Sequence, residues 1–226
     1  MHTNINIFVS TANDGTMRLT DDMPRDDEKI VIENRRRFLE KHGVQPEQTV
    51  RVQLDYQSKD FCRYSTVAQQ AGGEGIIRNG RIADGVATRQ KNLALFLPLA
   101  DCVGAVLYDP RHEVLMLSHL GRHNLEQNGG QKSVEYMAEQ FGTLPQDIEV
   151  WCSPAAGRAN YPLLAFDNKS LAEVAQDQLI AAGVQSENIE LSLIDTTAHS
   201  DYFSHSQFLK GNQSIDGRFA VVAMMK

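Results

Sequence analysis

The residues best suited to chemistry are Cys102, in Ala100-Asp101-Cys102, and His119, in Ser118-His119-Leu120-Gly121. The apolar runs between them are interrupted by Asp109-Pro110-Arg111-His112, which is strong turn chemistry, so 103–118 is expected to be a hairpin. A hairpin brings its ends together, which should make the Cys102 thiol and the His119 imidazole neighbours. Such a pair suits two chemistries. It can supply two zinc ligands, or the imidazole can activate the thiol, with Cys102 as nucleophile and His119 as base. A cysteine or histidine near a strand is commonly just buried. Their placement at the two hairpin ends is what favours function.

Further partners follow from position. Asp55, after Val52-Gln53-Leu54, closes a strand-like run. It is either a solvated acid or the carboxylate that completes an Asp55/Cys102/His119 zinc set with a fourth position open. Arg122 and His123, after Gly121, either grip an anion or start a solvated helix. Ser153-Pro154-Ala155-Ala156-Gly157 is a small-residue loop that could admit a ligand to its backbone, with Arg158 as an anion contact. His199 and His205 flank Tyr202-Phe203, and His205 is taken as a pocket residue. Cys62 and Cys152 read as structural. The seven histidines include no His-x-His pair, the economical way to place two imidazoles on one strand face for copper.

These side chains need a frame. Helices are predicted over 29–42, 133–141 and 170–182, each followed by a glycine. Strands are predicted over 5–9, 50–54, 93–97, 103–108, 114–117, 148–151, 189–194 and 219–224. The acidic stretch 13–29 and the glycine-rich stretch 70–80 read as loops. Strands clustered in the middle with helices scattered between them suggest α+β architecture with a mixed sheet, as one domain over 1–226.

The 226 residues carry a formal net charge of -7 and are 42% hydrophobic, with a pI near 5.5. That charge excludes a globally basic nucleic-acid binder but not a small anionic substrate held by local arginines. The N-terminus has no basic stretch followed by a long apolar run, so no signal peptide is expected. No window approaches a membrane span. Three cysteines in such a chain suggest reduced thiols in the cytoplasm. The expected partners are small molecules, with neither nucleic acid nor membrane, and the chain is expected to be a monomer or small homo-oligomer.

The order of these segments resembles the YfiH-like family, the laccase-labelled purine nucleoside phosphorylases. The block from Ala100-Asp101-Cys102 through Asp109-Pro110 to Ser118-His119-Leu120-Gly121 is the most specific match. Ser10-Thr11, the helix at Glu33-Asn34-Arg35-Arg36-Arg37-Phe38-Leu39, Ala83-Asp84-Gly85-Val86-Ala87-Thr88 and Tyr202-Phe203-Ser204-His205 match further family segments in order. The resemblance implies a mixed β-sandwich flanked by helices, akin to cysteine-hydrolase toxins. It also implies a zinc site of two histidines and one cysteine, and phosphorolysis of inosine, guanosine or adenosine beside adenosine deamination. This chain departs from the pattern in four places. Gln53-Leu54-Asp55-Tyr56 stands where the family has Gln-Val-His-Gly, and Arg122-His123-Asn124 where it has Trp-Arg-Gly. Ser153-Pro154 replaces Gly-Pro, and Ser206-Gln207 replaces two arginines. The resulting expectation is a purine nucleoside phosphorylase-type enzyme with zinc, rather than copper, at Asp55, Cys102 and His119. Arg122, His123, Arg158 and His205 would hold substrate. The alternatives are a metal-free cysteine hydrolase or deamidase using Cys102 and His119, and a non-catalytic binding protein of the same fold.

Overall fold

The computed structural model describes residues 4–20, 22–67 and 80–226. Its strands are β1 (Ile5–Val9), β2 (Thr49–Gln53), β3 (Tyr64–Val67), β4 (Arg81–Ile82), β5 (Gly85–Thr88), β6 (Ala94–Leu99), β7 (Val103–Asp109), β8 (Val114–Leu120), β9 (Glu149–Cys152), β10 (Ile189–Leu191) and β11 (Phe219–Met225). Its α-helices are α1 (Arg25–Lys41), α2 (Arg122–Glu126), α3 (Gly129–Phe141), α4 (Leu171–Ala181) and α5 (His205–Leu209). One sheet has the order β1-β11-β6-β2-β4 and the other β10-β9-β7-β8-β5-β3, and both mix parallel and antiparallel pairs.

The two sheets pack face to face and helices cover their outer faces, which is the predicted flanked sandwich. Alternation along each strand builds the layers. In β7, Val106 and Tyr108 join Leu95, Leu97, Val221 and Ala223 of the opposite sheet in the central core. Ala105 and Leu107 of the same strand turn the other way, against Val134 and Met137 of α3 and Val174 and Leu179 of α4. On the far side, Phe96, Ala220 and Val222 pack under Phe38 and Leu39 of α1. Strands covered on both faces read as unbroken apolar runs. Burying each large side chain contributes about 1.5–3 kcal/mol.

The predicted hairpin is β7–β8, in register from Val103↔Leu120 to Asp109↔Val114. Asp109 Oδ1 accepts from the amides of Arg111 (2.8 Å) and His112 (3.1 Å) to close its turn. Several elements differ from expectation. Helix α1 begins at Arg25, inside the acidic stretch read as loop, because Asp26, Asp27 and Glu28 suit the positive end of a helix dipole. Helix α3 begins at Gly129 and Gly130, which look like helix breakers. A Cβ at Gly129 would run into Asn124, and one at Gly130 would lie 2.9 Å from Gln178 Cβ, so close packing demands glycine at both. Strands β3, β4 and β5 are short, and Gly85 opens β5, where its missing Cβ makes room for Met116 and Tyr64. Of the predicted loop 70–80, only Gly80 is among the described residues. Strand β6 continues through Pro98 because β2 pairs with it only as far as Phe96. Pro98 therefore stands where one edge of β6 is open, a position that tolerates a missing amide.

Candidate functional site

Cys102 sits in the tight connection between β6 and β7. Its neighbour Asp101 has φ 70, the left-handed region, in which aspartate is one of the tolerated residues. Asp101 is held there from three directions. Its Oδ1 accepts from Thr196 Oγ1 (3.0 Å), its Oδ2 from the Ser206 amide (2.7 Å) and its carbonyl from the Ala156 amide (2.7 Å). The small-residue loop at 153–157 serves this turn. Ser153 Oγ accepts from the Gly104 amide (2.8 Å), and the Gly157 amide donates to Asp195 Oδ1 (2.9 Å).

His119 lies near the end of β8, opposite Gly104, and its amide donates to the Asp84 carbonyl (2.7 Å). The hairpin brings Cys102 and His119 together over Gly121. A Cβ on Gly121 would lie 2.9 Å from both Cys102 Sγ and His119 Nε2, so sulfur and nitrogen flank one gap that glycine leaves open. His119 is buried, and its Nδ1 has no hydrogen-bond partner. Burial holds the His119 imidazole down to about 4, and it pushes the Cys102 thiol up to about 12. The Asp101 carboxylate adds to the push on the thiol, while Arg218 and Arg122 oppose it. At neutral pH both groups are uncharged, the opposite of the thiolate–imidazolium pair of a cysteine hydrolase.

Both residues open on a cavity of about 780 Å³. Its walls carry Arg18, Arg35, Arg51, Arg122 and Arg218 against Asp55, Asp84 and Asp101, a basic surplus within an acidic chain. Phe61 and His123 stack at its side with centroids 4.9 Å apart, and Tyr56 and Tyr161 add two further aromatic rings. Asp84 is almost fully buried, and desolvation raises its carboxyl above the usual range although Arg63 opposes the shift.

The expected zinc set does not assemble. A catalytic zinc takes three protein ligands. Among the described residues no group of three or more His, Cys, Asp or Glu side chains is placed to hold a metal ion. Asp55 reaches the cavity wall, but its carboxylate is committed elsewhere. Oδ2 pairs with Arg63 Nη1 (3.1 Å) and Oδ1 accepts from the Gln57 amide (2.9 Å). The Gln57 amide, followed by Arg63, keeps this carboxyl below its ordinary value. Cys102 and His119 thus offer two donors, with an unpartnered Nδ1 and an open cradle beside them, but no third ligand.

Of the expected substrate residues, Arg122, His123 and His205 line the cavity. Arg158 does not; it is paired with Glu173 on the surface (2.7 Å). His199 is exposed beside Asp201. Cys152 is buried in the core and Cys62 packs against Asn124. Sequence reasoning gave no site role to Arg18, Asp84, Asp101 or Arg218. Asp84 and Asp101 had a signal, since both lie inside the matched motifs, whereas Arg18 lies in a stretch read as loop.

The family described as multi-copper polyphenol oxidoreductase laccase matches residues 8–169 and 166–226. A purine nucleoside phosphorylase of Corynebacterium glutamicum is 30% identical over 136 residues, 60% of this chain and 52% of that protein. Purine nucleoside phosphorylase YlmD of Bacillus subtilis is 30% identical over 102 residues, 44% of this chain and 37% of that one. The chain's matches thus span about half, or less, of these relatives' own length. Among solved structures, the hypothetical protein YfiH of Bacillus licheniformis superposes with a TM-score of 0.86 at 22% identity, over 98% of this chain and 93% of that one. YlmD from Geobacillus stearothermophilus gives 0.84 at 21% identity, over 99% and 93%. At such identities the structures speak for the fold, and the laccase-labelled match along nearly the whole chain speaks for descent: the protein belongs to the YfiH-like family.

Proposed function

We propose that this chain is a purine nucleoside phosphorylase-type enzyme of the cytoplasm, working as one domain. Phosphate attacks C1′ of the ribose of inosine, guanosine or adenosine. The new C1′–O bond forms as the C1′–N bond breaks, and the departing base takes up a proton. The observation that carries this reading is the basic surplus of the cavity beside Cys102 and His119, five arginines against three aspartates in a chain of net charge -7. The names of the relatives agree with it. The cytoplasmic assignment is supported by three free cysteines, and by described residues in which no helix is long and apolar enough to cross a membrane.

In this reading Arg122 and His205, with the cavity arginines, hold phosphate, while His123 and Phe61 receive the flat base. Cys102 and His119 face the leaving base as neutral hydrogen-bonding groups, and a neutral thiol can lend a proton to the departing nitrogen. No step is routed through a metal, because the donor set for one is incomplete. The uncharged thiol also disfavours the cysteine-hydrolase alternative. The test is chromatography of base release from each nucleoside with and without phosphate. Release that requires phosphate is expected. No release from any purine nucleoside, or equal release in water, would remove the proposal.

A further inference from the structure

We propose that Arg18 and Arg218, clipped together by Asp216, form a subsite for a phosphate oxyanion in the wall of the cavity, and that its ligand is inorganic phosphate. The inference rests on the phosphorolysis reading for its biological meaning, but its geometry is independent of it.

Asp216 is a largely buried carboxylate with three partners, two arginines and a histidine ring nitrogen, gathered from three stretches of the chain. Arg18 Nη1 lies 2.6 Å from Oδ2, Arg218 Nη1 2.6 Å from Oδ1 and His205 Nδ1 2.9 Å from Oδ1. One negative charge therefore faces two permanent positive ones. The way the arginines spend their donors matters more. Arg18 bonds through Nη1 alone, to the carboxylate and to the Asp216 carbonyl (3.2 Å). Arg218 also bonds through Nη1 alone, to the carboxylate and to the Gly217 carbonyl (2.7 Å). Among the described residues, Nε and Nη2 of both guanidinium groups have no protein partner. Each arginine thus keeps most of its planar fork, the geometry that grips phosphate oxygens in pairs.

The clip is built into the fold. A Cβ at Gly217 would run into the Phe203 ring, so only glycine lets the 216–218 turn sit where it does. Both arginines line the cavity. Cys102 and His119 line that same cavity, so an anion held by Arg218 shares the cavity with the Cys102 and His119 centre. Arg122 lines the same cavity with no carboxylate partner among the described residues, which adds a third attraction for the anion.

The experiment is titration of the full chain with inorganic phosphate, followed by phosphorus NMR or calorimetry at constant ionic strength with chloride as balancing salt. A second arm uses a purine nucleoside monophosphate. Arg18→Gln and Arg218→Gln should each weaken phosphate binding about tenfold or more, the loss expected for a charge-assisted hydrogen bond. Arg218→Lys should recover only part, because the fork is lost. Arg111→Gln, far away on the hairpin turn, should change nothing. Where base release is measurable, KM for phosphate should rise by the same factor while KM for the nucleoside stays within about twofold. Folded Arg18→Gln and Arg218→Gln proteins that bind phosphate as tightly as the parent overturn the subsite, whatever the enzyme does. So does a nucleoside monophosphate that depends on these arginines when inorganic phosphate does not bind. Arginine-dependent phosphate binding without cleavage of any nucleoside supports the subsite and removes the phosphorolysis reading instead.

Discussion

Arg63 holds Asp55 by two contacts, Nη1 to Oδ2 and Nη2 to the backbone carbonyl, both 3.1 Å, and its Nε reaches Asp84 Oδ2 at 3.3 Å. One guanidinium therefore ties down two cavity-wall carboxylates, and Asp55 is engaged where a zinc ligand was expected. The protein purified without chelator is expected to hold well below one zinc per chain. Asp55→His removes the carboxylate from Arg63 and puts a neutral nitrogen donor on the wall that Cys102 and His119 share, so zinc content should rise toward one per chain. Elemental analysis decides this. Stoichiometric zinc in the parent that survives Cys102→Ala shows that the metal sits elsewhere.

His119 gives a pH dependence with a definite sign. Its imidazole falls from an ordinary 6.5 to about 4 on folding because burial disfavours the charged ring. Between those values the unfolded chain binds a proton that the folded chain refuses. The His119 contribution is therefore full above pH 6.5 and is lost as pH falls toward 4, by up to about 3 kcal/mol. Denaturant titrations at pH 7 and pH 4.5 should show the loss, and His119→Gln should shrink it. An identical loss in parent and variant would assign it to other groups.

Asp101 serves Cys102 in two opposed ways, and substitution separates them. Asp101→Ala removes the acceptors for Thr196 and Ser206 and forces a β-carbon residue with no polar compensation into the left-handed region. A cost of about 2–3 kcal/mol is expected from denaturant midpoints. Asp101→Asn keeps a residue that tolerates this backbone and removes the charge that raises the thiol. Alkylation of Cys102 at fixed alkaline pH should accelerate in Asp101→Asn. An unchanged rate would mean that burial alone sets the thiol.

What the sequence disclosed followed local physics. The hairpin between Cys102 and His119 was legible because Asp109-Pro110 punctuates two apolar runs, and strand pairing carries that local signal to the two ends. Helix α4 was legible because Leu171, Val174, Ala175 and Leu179, all buried in the structure, recur at helical spacing before Gly183. The cavity's cationic clip was not legible. Arg18, His205 and Arg218 meet through contacts between distant segments, and no spacing rule connects them. Asp55 misled for a related reason. Its position matched a ligand, but its partner Arg63 sits on the approach to β3, a strand too short to announce itself.

The laccase label can be tested by following the histidines. A multicopper oxidase needs one copper to accept electrons singly and a separate copper cluster to reduce dioxygen, and copper(II) favours many imidazole donors for such a cluster. His42 is packed against Phe8 and Phe38, with centroids 4.3 and 4.9 Å away. His112 is bound to Asp109 at 2.7 Å at the hairpin's turn, the opposite end from Cys102 and His119. His199 is exposed beside Asp201, and His2 lies outside the described residues. That leaves His119, His123 and His205 at the cavity. His123 is stacked on Phe61, and His205 gives Nδ1 to Asp216. These two are engaged by different neighbours, and no three metal-binding side chains converge among the described residues. The expected result is at most one copper per chain after loading, and no sustained oxygen uptake with a phenolic substrate in an oxygen electrode. Three or more tightly bound coppers, with steady uptake abolished by Cys102→Ala, would overturn this counting of ligands.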